Sequence, residues 1–253
     1  MIVLMTDYGV QGPYVGQVTS ALYQHAPEVP VVTLFYDAPV HNPKASAYLL
    51  SAYKQDFPKG SVFLCVVDPA VGSGIHRPVI VWADEQWFVG PDNGLFHGIA
   101  KHGKAVTQWL ITWQPEQLSY TFHGRDLYAP VAARLATGLK PPGKPIPSLY
   151  PVDWPDDLYE VIYIDHFGNA MTGVRSSTIS SDCILTIGGK RLKNANTFGQ
   201  VAIGEAFWYA NSNGLVEIAV NQGRASEVLQ IQIGTPLILI KPDPAVSTTS
   251  VLQ

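Results

Sequence analysis

Cysteine is nearly absent from this 253-residue chain: only Cys65 and Cys183 occur. No CxxC pair and no Cys/His spacing of a zinc site is present, so neither a disulfide framework nor a metal centre is expected. Cys65 falls inside an apolar run, where a thiol is expected to be buried and inert. Charge is also sparse, with 14% Asp, Glu, Lys and Arg and a formal net charge of −4. A nucleic-acid groove needs a basic stripe, and the few Lys and Arg are scattered, so no nucleic-acid partner is expected. No apolar run approaches the ~20 residues of a membrane-spanning helix. The first residues enter IVLM without the basic region of a secretory signal. A cytoplasmic protein with no membrane partner is the expectation. The phosphate-binding lysine of a P-loop and the G-x-S-x-G elbow of serine hydrolases are missing as well.

What the chain does have is apolar sequence, 47% of it. Three apolar runs end at an aspartate in a Gly- or Pro-bearing turn: IVLMTDYG (Ile2–Gly9), VFLCVVDPAVG (Val62–Gly72) and WFVGPDNG (Trp87–Gly94). Short continuous apolar runs bounded by turn residues read as fully buried strands. In a parallel α/β sheet the ligand crevice lies outside the carboxyl ends of the strands. Asp7, Asp68 and Asp92 are therefore expected on one rim. Asp92 and Asn93 equally suit a plain tight turn, and Asp7 a turn cap.

Residues 1–140 alternate strand-like and helix-like segments, which predicts an α/β domain with a mainly parallel sheet. YVGQVTSALYQHA (Tyr14–Ala26) places Tyr14, Val15, Val18 and Leu22 on one helical face. VIVWA and WFV are expected to pair around Asp84-Glu85-Gln86. Asp126 is expected to N-cap the helix LYAPVAARLA. Residues 141–156 hold Pro141, Pro142, Pro145, Pro147, Pro151 and Pro155 and read as a semi-rigid linker. Residues 157–253 carry short strand-like pieces separated by turns such as Gly188-Gly189 and Asn213-Gly214. They predict a smaller all-β, barrel-like domain, a sandwich being the other arrangement. The polar tail from Pro242 is expected to fray.

Two further segments carry chemistry. FHGRDLYAP puts His123, Arg125 and Asp126 just before a helix. His123 and Asp68 on one rim can orient and deprotonate a water, although a lone histidine is also a common structural residue. IDHFGN (Ile164–Asn169) places a carboxylate, an aromatic ring and an amide at a strand end, groups suited to an amine and a flat base, or simply to a turn. NSNGLVEIAVNQG (Asn211–Gly223) reads as a hairpin whose strand runs into Asn221.

In this order, GPDNGLF, TFHGRDLYAPVAARLA, IDHFGN and NGLVEIAVNQG resemble the S-adenosylmethionine (SAM) hydrolase family, the hydroxide adenosyltransferases related to fluorinase and chlorinase. The resemblance runs from TDYG to AVNQG. It implies an α/β domain followed by a β-barrel domain, and a homotrimer whose ligand lies between one subunit's first domain and a neighbour's second. The implied reaction is attack of water or hydroxide on the ribose C5′ of SAM, giving adenosine and L-methionine. SAM is the substrate, and no cofactor or metal is required. Asp68 and His123 match two members of the family's Asp–Arg–His set, and the third place falls to Arg77, with His76 as the alternative. By the same resemblance Asp165, Phe167 and Asn169 bind ligand: Asp165 the methionine ammonium, Phe167 the adenine face, Asn169 its edge. Asp7 and Asn221, at strand ends, are further expected ligand-binding residues.

Halogenating relatives carry tyrosine where Asp68 stands and serine where Gly124 stands, and an extra loop between the Asp92 and His123 positions. Both residues here are of the hydrolase kind. The chain departs from the family twice. Gly12 stands where relatives have a ribose-binding aspartate. The segment GSGIHRP is one residue longer than usual, so His76 falls near the family arginine and Arg77 follows it. These departures keep open an alternative, a non-catalytic adenosine- or SAM-binding protein.

Overall fold

The computed structural model describes residues 1–149 and 151–241. The chain divides into two compact units, Met1–Trp154 and Pro155–Gln253. The polar tail from Pro242 lies outside the described residues.

The first unit is built on β1 (Ile2–Thr6), α1 (Tyr14–His25), β2 (Val31–Phe35), α2 (Pro43–Tyr53), β3 (Val62–Val66), β4 (Pro78–Ala83), β5 (Gln86–Pro91), α3 (His97–His102), β6 (Thr107–Ile111), α4 (Ala129–Ala136) and β7 (Gly143–Ile146). Its seven strands form one sheet in the order β2-β1-β3-β5-β4-β6-β7. The pairings β1–β2, β1–β3 and β3–β5 are parallel; β4–β5, β4–β6 and β6–β7 are antiparallel. The sheet is thus mixed with mostly parallel strands, five of the seven sharing one direction. The antiparallel half follows from a two-residue turn: Asp84 and Glu85 both take positive φ (51° and 62°), the geometry that closes a hairpin.

β1 and β3 are buried along their whole length, as a sheet covered on both faces requires. Alternation sends Ile2, Leu4, Val62 and Leu64 toward α1 and α4, where Val18, Leu22, Val131 and Leu135 close the core. On the sheet, Phe63 stacks on Phe88 at 5.0 Å, and Phe88 meets Phe96 beside α3. Each such side chain contributes about 1.5–3 kcal/mol by leaving water. Asn42 caps α2 by accepting from Ala45 N at 3.0 Å, with Pro43 in the first turn, where its missing N–H costs nothing.

Two sequence expectations are corrected in this unit. Asp126 does not N-cap the helix. A π-helical turn, Gly124–Tyr128, precedes α4, and the N–H groups of Arg125 and Asp126 already bond Phe122 O. The Asp126 carboxylate instead takes Ser119 N at 2.9 Å and the Arg125 guanidinium. The Pro-rich segment is not only a linker, because β7 pairs with β6 at the sheet edge. Proline is tolerated on an edge strand, and Pro145 lies there. Farther on, the Trp154 indole covers Gly94, where a Cβ would come within 2.2 Å of the ring.

The second unit contains β8 (Leu158–Ile164), β9 (Ala170–Arg175), β10 (Ile184–Ile187), β11 (Lys190–Leu192), β12 (Ala206–Ala210), β13 (Leu215–Val220), α5 (Ala225–Val228) and β14 (Ile238–Ile240). Among the described residues these strands do not close into one barrel. They form a four-stranded antiparallel sheet, β12-β13-β9-β8, and a three-stranded one, β11-β10-β14. Val161, Val174, Leu185, Ile187, Trp208 and Ile218 from both sheets share one core. The Gly188-Gly189 and Asn213-Gly214 turns join paired strands as expected.

Candidate active site

Because β1, β3 and β5 run parallel, the residues leaving their carboxyl ends share one rim. Those residues are Asp7, Val67-Asp68 and Asp92. The aspartates are differently employed.

Asp7 accepts from His41 N at 3.0 Å. Burial holds its carboxyl above the usual carboxylate range, against the pull of that N–H, and the charge of Asp68 adds to the rise. Asp68 is almost enclosed, its side chain 5% exposed. Its Oδ1 accepts from Ala70 N at 3.1 Å and lies 2.7 Å from His76 Nδ1. Asp92 receives Arg77: Nε donates to Oδ2 at 3.0 Å and Nη2 to the same oxygen. Arg77, the expected third member of the catalytic set, is therefore placed on Asp92, while His76 is placed on Asp68.

The loop after β3 is shaped by glycine. Gly72 has φ 75°, and a Cβ there would stand 2.0 Å from Tyr120 O, so no side chain fits. The GPDNG turn is braced by Asn93, whose Nδ2 donates to Val67 O at 2.8 Å. That bond ties the end of β5 to the end of β3.

His123 stands at the start of the π-helical turn, its ring 6.5 Å from Tyr128 in an edge arrangement. It makes no side-chain hydrogen bond among the described residues. Gly124 packs directly on Tyr8. Tyr8 in turn forms a three-ring cluster with Tyr14 and Phe122, at 6.1 and 5.7 Å. Burial pushes the Tyr8 phenol up, as do the charges of Asp7 and Asp68. The phenol thus stays protonated, a neutral wall beside two carboxylates. Tyr128 is pushed up by burial in the same way, Asp68 adding to it. Tyr8 was not named as a site residue from sequence, and His76 was raised there only as the residue falling near the family arginine. Tyr8 had a signal in its place directly after Asp7. Cys65 is fully buried and its thiol is pushed up by burial, which leaves it unreactive.

In the second unit, IDHFGN forms the tight turn between β8 and β9. Asp165 accepts from Asn169 N at 2.8 Å and from Asn169 Nδ2 at 3.2 Å. Arg224 Nη1 clamps the turn by donating to His166 O at 2.8 Å. Phe167 is left at the tip, 71% exposed. An ionised carboxylate has lone pairs beyond those two bonds, so Asp165 can still receive an ammonium. Asn221, at the end of β13, donates to Val201 O at 2.8 Å. Among the described residues no three His, Cys, Asp or Glu side chains converge as the donors of a metal ion would.

Position 12 is informative. Gly12 has φ 100°, a region L side chains rarely adopt. The backbone is thus set for glycine where the resemblance calls for aspartate.

Comparison with known proteins bears on both units. Residues 2–143 match the SAM hydroxide adenosyltransferase N-terminal domain, and residues 159–238 match the C-terminal domain of the same name. The (R)-S-adenosyl-L-methionine hydrolase of Thermus thermophilus is 33% identical over 94% of this chain and 99% of its own. That of Salinispora tropica is 33% identical over 92% of this chain and 94% of its own. Among solved structures, an uncharacterized conserved protein from Thermotoga maritima superposes with a TM-score of 0.86 at 29% identity, covering 95% of this chain and all of that one. A conserved hypothetical protein from Thermus thermophilus gives 0.74 at 32% identity, covering 94% and 99%. With both domains matched along nearly the whole chain, the protein belongs to the SAM hydroxide adenosyltransferase family.

Proposed function

We propose that the protein hydrolyses SAM to adenosine and L-methionine. The observation that carries this reading is the enclosed Asp68 at the end of β3, on the rim reached by Tyr8 and, through Gly124, by the turn that starts at His123. The two relatives described above are named for the (R) epimer, which points to that epimer as substrate. A water oxygen attacks the ribose C5′, the C5′–S bond breaks, and its electron pair stays on sulfur as the methionine thioether. The proton lost by water passes to the Asp68 and His123 side. Since a sulfonium leaves readily, the protein mainly aligns and desolvates the nucleophile, and the step itself calls on no metal or cofactor.

In this reading Asp7 faces polar ligand groups, Asp165 the ammonium, Phe167 the adenine face, and Asn169 and Asn221 its polar edge. The assembly is a homotrimer with its site at the subunit interface, working in the cytoplasm. No helix among the described residues is long and apolar enough to cross a membrane.

The test is incubation with each SAM epimer and chromatography of adenosine and methionine, with His123→Ala beside the wild type. Product from the wild type alone supports the hydrolase. A second reading, a binding module without turnover, is favoured by the glycine geometry at position 12. It predicts adenosine binding by calorimetry with no product.

A further inference from the structure

We infer that His76, not Arg77, positions Asp68 for the reaction, an imidazole serving where the family uses a guanidinium. The inference rests on the hydrolase reading above.

Strand register commits Arg77. Pro78 pairs with Pro91 at the end of the β4–β5 hairpin, and Asp92 N donates to Arg77 O at 2.8 Å just beyond it. Arg77 is therefore fixed opposite Asp92, and both its donors to Asp92 reach Oδ2. The Asp92 side chain is 1% exposed, so this guanidinium is not available to Asp68.

The extra residue in GSGIHRP decides what comes next. Gly72 and Gly74 both take positive φ (75° and 76°) and turn the loop back. Ile75 then points to solvent, and His76 turns inward to Asp68 at 2.7 Å. The His76 and Ala70 contacts both fall on Oδ1. Oδ2 accepts no hydrogen bond among the described residues, so it is the oxygen left to face a water. Holding one oxygen while the other receives the nucleophile is what an orienting partner does.

His76 is thus a positioning residue, and its removal should misplace Asp68 rather than weaken substrate binding. The experiment compares steady-state SAM hydrolysis by wild type, His76→Ala and His76→Asn, with folding checked by circular dichroism. Asparagine keeps a donor near the Nδ1 position. The expected result is kcat lowered roughly tenfold to a hundredfold in His76→Ala, KM within about twofold of wild type, and most of the kcat restored in His76→Asn. Turnover that survives His76→Ala unchanged overturns this inference and leaves the hydrolase standing. A matched fall of both variants, with KM rising in step, shows a merely structural histidine and also overturns it. A wild type without turnover overturns the hydrolase reading, and this inference with it.

Discussion

The phenol of Tyr8 fills the space in which a side chain at Gly124 would begin: a Cβ on Gly124 would stand 2.1 Å from Tyr8 Oη. Tyr8 is held by Tyr14 and Phe122 and cannot simply swing away. Gly124→Ala should cost about 1–3 kcal/mol, as overpacking does. Tyr8→Phe removes the clashing atom and should recover part of that loss. Urea denaturation of the two single variants and the double variant checks this; strictly additive costs would count against the contact.

Arg77→Ala should destabilise the first unit through Asp92. An enclosed carboxylate that loses its cation retains its desolvation cost. Because Arg77 is itself 42% exposed, the expected loss is about 1–3 kcal/mol. Thermal denaturation measures it, and an unchanged midpoint would show that the pair is unimportant.

Gly12→Asp supplies the carboxylate that the family resemblance implies but meets φ 100°. The backbone strain, about 1–2 kcal/mol for a left-handed L residue, should lower thermal stability. Adenosine affinity by calorimetry should not improve. Tighter binding would mean that the loop re-forms around the new side chain.

Phe167→Ala should leave stability nearly unchanged, because its ring packs on little of its own unit. Adenosine affinity should fall about tenfold, matching the loss of roughly 1.4 kcal/mol. Fluorescence or calorimetric titration reads this directly. Equal affinities would remove Phe167 from the proposed nucleoside site.

Arg175 donates to both oxygens of Asp157, at 2.9 and 2.8 Å, and these bonds hold its carboxyl below the usual range. A depressed folded-state value gives stability that is fully present above the unfolded-state value near pH 4. That stability is lost as pH falls through the folded-state value. The half-exposed arginine limits the contribution to at most about 1 kcal/mol. Melting curves of wild type and Asp157→Asn should differ at pH 7 and converge in acid.

Much of this arrangement is legible in the residues. Continuous apolar runs ending in aspartate need only local pattern and the direction of parallel strands to place Asp7, Asp68 and Asp92 on one rim. IDHFGN was legible for the same reason, since its turn closes on its own side chains. What was not legible has no distinct signal in local pattern. Arg77 faces Asp92 because of a hairpin register that motif spacing cannot supply. Asp126 looked like a helix cap because the π-helical turn before α4 has no periodic signature distinct from an ordinary first turn. The two sheets of the second unit share the turn signals of a barrel, and only strand pairing separates them.

The edge strand β7 and the Trp154 indole over Gly94 also bear on how this protein can be recombined with its relatives. A chimera joined at Leu139 would part β6 from its own outer neighbour β7, with β4 alone still paired to it, and a poorly covered edge invites association with other chains. The same join would replace the aromatic lid on the turn that carries Asp92. A crossover at Pro155 keeps strand, indole and turn inherited together, so exchange of second halves should succeed there and fail fifteen or so residues earlier.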